Sequence, residues 1–213
     1  MKFIFVCLRQ FVDVCQVLPS CVFSCLNIRS LGRKIDDVIE LQRDHAIDVF
    51  ALVEMWHDLV AICHLGLTGH SVVDRVRPHL SNDTLAVNHG GIAVFARPGV
   101  RLAAISLGFC PASFEMTATR ATVGFKSYVI IVIYRPGFVD VTSMFFYDLS
   151  DLLDRVVTTN DTLFIVGDLN IHLEWSDDVH AQCLCNLLGC YNLDVRNTEP
   201  THDLGGQLDT VVS

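Results

Sequence analysis

The sequence predicts a mixed-sheet α/β protein in which two sheets pack face to face with helices outside. Three observations lead there. Runs such as Tyr128-Val129-Ile130-Ile131-Val132-Ile133 and Leu163-Phe164-Ile165-Val166 are β-branched and apolar on both faces, as strands covered on both sides must be. Strand–helix–strand patterns stand at both ends of the chain. Consecutive strands fill the middle.

Taken in order, residues 1–20 share no pattern with the rest and read as an irregular leader to a single domain over 21–213. Cys21–Leu26 is a strand ending at Asn27. Ile35, Val38 and Ile39 lie at helical spacing and open an amphipathic helix that runs to Ala46. Asp48–Val53 is a strand ending at Glu54. Residues 57–87, rich in Gly, His and Asp, read as loops with weak strands. Gly90-Gly91 opens the strand Ile92–Phe95, and Pro98-Gly99 turns out of it. Strands follow over Arg101–Leu107, Phe114–Val123 and Tyr128–Tyr134. Alternation of Met116, Ala118, Arg120 and Thr122 predicts that the middle one is half-exposed. Phe146, Leu149, Leu152, Leu153 and Val156 form the stripe of a second helix, packed on the sheet that contains Phe164. The segment from Asp178 to Leu188 reads as a third, burying Val179, Leu184, Leu187 and Leu188. Leu208 to Val212 closes the pattern.

Composition limits the function. With 213 residues, 51% of them hydrophobic, and a mean hydropathy of +0.43, the chain fits one domain with a sizeable core and is not disordered. No apolar run approaches the roughly 20 residues that cross a bilayer. Phe3–Leu8 follows Met1-Lys2 like a short signal segment, but Arg9, Gln10 and Asp13 break it and no small-residue cleavage site follows. An intracellular protein, neither secreted nor membrane-bound, is expected. The nine cysteines, an odd number inside mostly apolar segments, fit buried free thiols better than disulfides. His180, Cys183, Cys185 and Cys190 lack CxxC spacing and lie in a helical pattern, so structural cysteines are expected rather than a zinc site. A net charge of −9 excludes broad attraction to nucleic acid and leaves room for a local basic face or a metal that bridges to phosphate.

The chemistry gathers at strand ends. Asn27, Glu54, Tyr134, Asp168 with Asn170, and Asp209 each follow or open an apolar run, and layered α/β proteins collect ligands at one set of strand ends. In Gly167-Asp168-Leu169-Asn170, extended chain would aim residues i and i+2 to one side. A carboxylate there can orient or deprotonate water, and a carboxamide can donate to a phosphate oxygen. Alone, the same pair reads better as an Asx-type turn. Arg29 and Arg135, each one or two residues beyond a site position, are the candidates for phosphate or DNA contact.

Several motifs then occur in a family's order. They are Cys25-Leu26-Asn27-Ile28-Arg29-Ser30-Leu31, Leu52-Val53-Glu54-Met55-Trp56, Gly90-Gly91-Ile92-Ala93-Val94-Phe95, Tyr134-Arg135-Pro136, Gly167-Asp168-Leu169-Asn170-Ile171-His172, and Pro200-Thr201-His202 through Gly205-Gly206-Gln207-Leu208-Asp209. Over 21–213 the chain resembles the endonuclease/exonuclease/phosphatase superfamily, above all the apurinic-type endonuclease domain of non-LTR (LINE-like) retrotransposons. The resemblance implies a four-layer α/β sandwich, DNA as partner, and Mg2+-dependent phosphodiester hydrolysis, with Mn2+ as the alternative ion. It implies no obligate protein partner and, for a functional nuclease, a nuclear location. By resemblance Glu54 would ligate the metal with Asn27 beside it, and Asp168 would orient the attacking water. Asn170 and Tyr134 would hold the phosphate. Asp209 matches the aspartate that orients a terminal histidine, usually within Ser-Asp-His. The chain reaches Ser213 just after Leu208-Asp209-Thr210-Val211-Val212, so the last strand and that histidine are expected to be missing, and activity weak or absent. Met55 stands where threonine is usual, and Arg29 where apurinic endonucleases carry aspartate. The alternatives are a phosphomonoesterase or lipid phosphodiesterase of the same fold, or a non-enzymatic vestigial fragment.

Overall fold

The computed structural model describes residues 6–9, 21–56, 69–75, 90–158, 161–196 and 209–213. Ten strands and three α-helices lie among them. The first sheet comprises β1 (Val6–Arg9), β2 (Val22–Asn27), β3 (Val49–Val53), β4 (Ser71–Arg75) and β5 (Ile92–Ala96), in the order β1-β2-β3-β5-β4. The second comprises β6 (Arg101–Ala104), β7 (Glu115–Val123), β8 (Lys126–Tyr134), β9 (Thr162–Asp168) and β10 (Asp209–Val212), in the order β10-β9-β8-β7-β6. Each sheet has a single parallel pair, β2 with β3 and β8 with β9, and every other pairing is antiparallel. A helix makes each parallel crossover, as a parallel connection requires. These are α1 (Ile35–Asp44) between β2 and β3, and α2 (Ser143–Val156) between β8 and β9. The third helix, α3 (Val179–Cys190), follows β9.

Alternation along the strands makes four layers. Phe23, Cys25, Val49, Ala51, Val53 and Val94 of the first sheet meet Tyr128, Ile130, Val132, Phe164 and Val166 of the second in the inter-sheet core. On the outer face of the first sheet, Val22, Leu26, Phe50, Leu52 and Phe95 pack under Val38 of α1. On the outer face of the second, Val129, Ile131, Ile133 and Ile165 pack under Leu149, Leu152 and Leu153 of α2 and Leu184 and Leu188 of α3. The expected four-layer arrangement of two sheets between helices is therefore present.

Four details differ from the sequence expectation. Val6–Arg9, assigned to an irregular leader, pairs antiparallel with β2 as an edge strand; its Arg9 breaks the apolar run, but an edge strand tolerates charge. The middle strand β7 is buried on both faces except around Arg120, because α2 covers the face its polar residues were expected to expose. In α2 the buried aromatic is Phe145, while Phe146 is only partly covered. In α3 the buried stripe is Ala181, Leu184 and Leu188, so Val179 is exposed and Cys183, Cys185 and Cys190 are exposed thiols, whereas Cys21 and Cys25 are buried as expected. Val179 opens the helix, where no preceding turn covers it, and small Ala181 takes its place in the stripe.

The parallel β8/β9 pair carries the tightest steric constraint. Gly167 lies opposite Ile133, with φ of 144°, and a Cβ there would stand 1.8 Å from the Ile133 carbonyl oxygen. Only glycine fits, and it lets the chain run unbroken into Asp168. Gly167→Ala is expected to destabilise the protein by about 3 kcal/mol or more. In α3, Gly189 has nothing within 4 Å of its would-be Cβ, so Gly189→Ala should stabilise by about 0.5–1 kcal/mol. Urea unfolding of the two variants checks both signs.

Candidate functional site

The ladders bring the candidate residues to one edge of the sandwich. In the first sheet Asn27 pairs with Val53, Val53 with Ile92, and Ile92 with Arg75. In the second, Asp209 pairs with Asp168, Asp168 with Tyr134, and Tyr134 with Glu115. The chain turns beyond both rows, and the polar side chains of the two sheets meet there.

The meeting is direct. The Asn27 amide Nδ2 donates to Glu54 Oε1 at 2.8 Å and to Asp168 Oδ2 at 2.8 Å. The Tyr134 hydroxyl donates to the same Glu54 oxygen at 3.1 Å. One carboxamide thus uses both of its hydrogens to bridge two carboxylates from different sheets. Without those donors, two carboxylates placed this close would repel each other in a desolvated setting. Asp168 is only 5% exposed, and burial raises its pKa to about 6, the Glu54 charge adding to the rise while hydrogen bonds from Asn27 and Asn170 oppose it. Burial first, then the charge of Glu54, drives the Tyr134 hydroxyl far above its ordinary value. It therefore stays a neutral donor.

Backbone strain marks the same place. Seven non-glycine residues among those described have positive φ, and five of them are Arg29, Ser30, Glu54, Trp56 and Asn170. Such conformations cost on the order of 1–3 kcal/mol each and persist where surrounding bonds fix them. Ser30 N donates to Glu54 O at 2.8 Å and Leu31 N to Met55 O at 3.1 Å, while Met55 N and Trp56 N donate to Gly91 O and Gly90 O at 3.2 and 2.9 Å. Glu54 is thus gripped from both sides. Lys34 Nζ closes the first loop by donating to Ile28 O at 2.6 Å and Arg29 O at 2.9 Å.

Asn170 departs from the extended geometry expected for it. Its φ is 50°, and its backbone N–H donates to Asp168 Oδ1 at 3.0 Å. An Asx-type turn, not the pleat of a strand, holds the pair together. The Asn170 amide Nδ2 donates to Arg135 O at 2.8 Å. A Cβ on Gly137 would come within 2.7 Å of Asn170 Oδ1, so glycine there makes room for this side chain.

Arg135 is a correction. It was expected to contact phosphate, but it is 3% exposed and its guanidinium is committed to backbone carbonyls. It donates to Leu169 O at 2.7 Å, Asn170 O at 2.6 Å and Pro136 O at 3.3 Å, and also to Val139 O. Its five-donor fork suits a turn full of unpaired acceptors, and it fixes the loop that carries Asn170. Arg29 is exposed beside the site, with its N–H donating to Asn27 Oδ1 at 3.2 Å. Asp209 lies opposite Asp168 in the β9/β10 ladder. His172 stacks on Trp175 with ring centroids 3.8 Å apart and bonds Glu174 at 2.7 Å; His202 lies outside the described residues.

Two residues at this edge escaped the sequence reasoning. Glu115 lies opposite Tyr134, and its Oε2 accepts from Gly91 N at 2.8 Å. Counting back through the hairpin turn at Gly124-Phe125 from Tyr134 would have found it. Arg75 closes β4 at the same edge and donates across the sheets to Met116 O at 2.8 Å.

Among the described residues no cluster of three or more His, Cys, Asp or Glu side chains converges as a metal cage. The donor set nonetheless suits one hard ion. Both hydrogen bonds that Glu54 accepts fall on Oε1, leaving Oε2 to coordinate, and Mg2+ characteristically takes one or two carboxylates, several waters and substrate phosphate oxygens.

The Endonuclease/Exonuclease/phosphatase family model matches residues 25–212. No curated protein matches the chain by sequence. Among solved structures it is similar to the endonuclease domain of TRAS1, a telomere-specific non-LTR retrotransposon. That match has a TM-score of 0.65 at 12% identity and covers 89% of this chain and 82% of that one. The catalytic domain of human Nocturnin with bound sulfate is similar at TM-score 0.63 and 15% identity, covering 96% and 84%. A Neisseria 3′ phosphatase bound to a product DNA hairpin follows at 0.58 and 18%, covering 89% and 85%. At these identities the likeness concerns the fold.

The buried charge at Asp168 has a measurable consequence. A carboxyl whose pKa rises from 3.8 to about 6 on folding binds more protons folded than unfolded, so it lowers stability as pH climbs through that window. The stability of Asp168→Asn relative to the parent protein should therefore grow between pH 4 and about pH 6 and level off above. Urea titrations across that range would show it; a difference that stays flat or shrinks contradicts the assignment.

Proposed function

This chain belongs to the endonuclease/exonuclease/phosphatase family, and we propose that within it the protein is a divalent-metal-dependent phosphodiesterase that nicks DNA. One observation carries the reading. Asn27, Glu54, Tyr134 and Asp168, drawn from four strand ends in two sheets, form a single hydrogen-bonded set. A structural turn needs no such convergence.

Each residue has a task the geometry supports. Glu54, with Asn27 beside it, would hold Mg2+, or Mn2+ in its place, and the ion would neutralise charge growing on the phosphate and the leaving oxygen. Asp168, fixed by Asn27 on one oxygen and by the Asn170 N–H on the other, is held to orient water and accept its proton. Tyr134 stays protonated and can turn its hydrogen from Glu54 toward a phosphate oxygen. Asn170 supplies its remaining amide hydrogen to the same group. Arg29, exposed beside Asn27, offers a phosphate contact on an otherwise acidic chain. Asp209 pairs with Asp168 in the β9/β10 ladder and would serve at the same edge. The likeness to a retrotransposon endonuclease domain and to a DNA-bound phosphatase favours DNA as substrate, and a nuclear site of action follows from that substrate.

Two described histidines are engaged elsewhere: His172 with Trp175 and Glu174, and His180 in a stack on Phe146. Supercoiled plasmid with Mg2+ should be nicked, with the activity removed by EDTA and reduced about 100-fold or more in Glu54→Ala and Asp168→Ala. Nicking that survives both substitutions overturns the proposal, as does turnover of phosphomonoesters or phospholipids with none of DNA.

A further inference from the structure

Among the described residues, Glu115 is a carboxylate at this edge to which the proposed reaction gives no task. It opens β7 in the second sheet, opposite Tyr134, yet its Oε2 accepts from the backbone of Gly91 in the first sheet at 2.8 Å. The bond crosses the sandwich at the site. Gly90 and Gly91 in turn accept from Trp56 N at 2.9 Å and Met55 N at 3.2 Å. Those are the two amides that follow Glu54, and both Glu54 and Trp56 are held in the left-handed region, with φ of 55° and 48°. A left-handed carboxylate-bearing residue keeps its side-chain direction only while its neighbours' backbone is fixed.

We propose that Glu115 is a positioning residue for metal binding: through Gly91 and Gly90 it anchors the Glu54-Met55-Trp56 turn to the second sheet and so aims the Glu54 carboxylate. The assignment rests on the metal-dependent reading of the site above. It identifies an outer partner that acts through two glycine peptides and touches neither ion nor substrate. Partners of this kind typically alter metal affinity 10–100-fold when removed. The placement is specific, since Tyr134, directly across the β7/β8 ladder from Glu115, donates to the same Glu54 oxygen that Asn27 holds. Glu54 is therefore supported through its backbone by Glu115 and through its side chain by Tyr134, and both supports start from one rung of the second sheet.

Two conservative variants separate geometry from charge. Glu115→Gln keeps an acceptor oxygen at the same reach and loses the charge, whereas Glu115→Asp keeps the charge and withdraws the oxygen by one methylene. Mn2+ binding, read from the loss of the free-ion electron paramagnetic resonance signal, reports on the site without any turnover. Glu115→Asp should weaken Mn2+ binding about 10-fold or more, with Glu115→Gln within about 3-fold of the parent. Asp148→Ala removes a comparable carboxylate anchor, one that accepts from Ala112 N, Ser113 N and the Ser113 hydroxyl. It should lower the melting temperature and leave Mn2+ affinity unchanged. Parent-like affinity in Glu115→Asp, or a weak Glu115→Gln beside a normal Glu115→Asp, overturns the positioning role while the metal reading stands. A parent protein that binds no Mn2+ overturns the metal reading and this inference together.

Discussion

The two hydrogens on the Asn27 amide hold the site together. They reach Glu54 in one sheet and Asp168 in the other, each at 2.8 Å. Two carboxylates facing each other at the edge of an apolar sandwich are unfavourable on two counts, desolvation and mutual repulsion. A neutral double donor between them relieves both, and a residue with only one hydrogen to give would leave one carboxylate unsatisfied. The register follows from this requirement. A slip of one residue in β2 would turn Asn27 to the opposite face of its sheet and separate the carboxylates from their donor.

Around that contact the fold distributes strain and support unequally. Turns at Arg29-Ser30, Glu54, Trp56 and Asn170 adopt conformations that side chains resist, and each is fixed by bonds to backbone from a neighbouring strand end. The buried Arg135 guanidinium satisfies the carbonyls of the Asn170 loop, where an unsatisfied buried acceptor would cost about 1–3 kcal/mol. At the opposite end, Asp48 accepts from Val22 N at 2.7 Å and from Arg97 Nε at 2.5 Å. That is a structural staple between strand ends.

The parts legible in the sequence are those coded by a single segment. Strands buried on both faces write themselves as β-branched runs, so β2, β3, β5, β8 and β9 were evident, and so were the polar groups that terminate them. Asn27, Glu54, Tyr134 and Asp168 were recognisable because a carboxylate or amide directly after such a run stands out. What depends on partners in space was hidden. Arg135 after a strand end looks like a ligand for phosphate until the carbonyls it satisfies are seen. Val6–Arg9 carries no strong pattern, since pairing with β2 makes it a strand. Only packing of Ala181, Leu184 and Leu188 shows which face of α3 is buried. Glu115 needed the hairpin register to place it beside Tyr134.

The central claim is that Asn27 couples the two sheets through both carboxylates at once. Double-mutant cycles on unfolding free energy test it most directly, pairing Asn27→Leu with Glu54→Gln and, separately, with Asp168→Asn. Leucine matches asparagine in shape and removes the donors, while each amide removes a charge without changing size. The account predicts that both cycles depart from additivity by about 1 kcal/mol or more, because each pair shares a hydrogen bond. Additivity within about 0.3–0.5 kcal/mol in either cycle would contradict it.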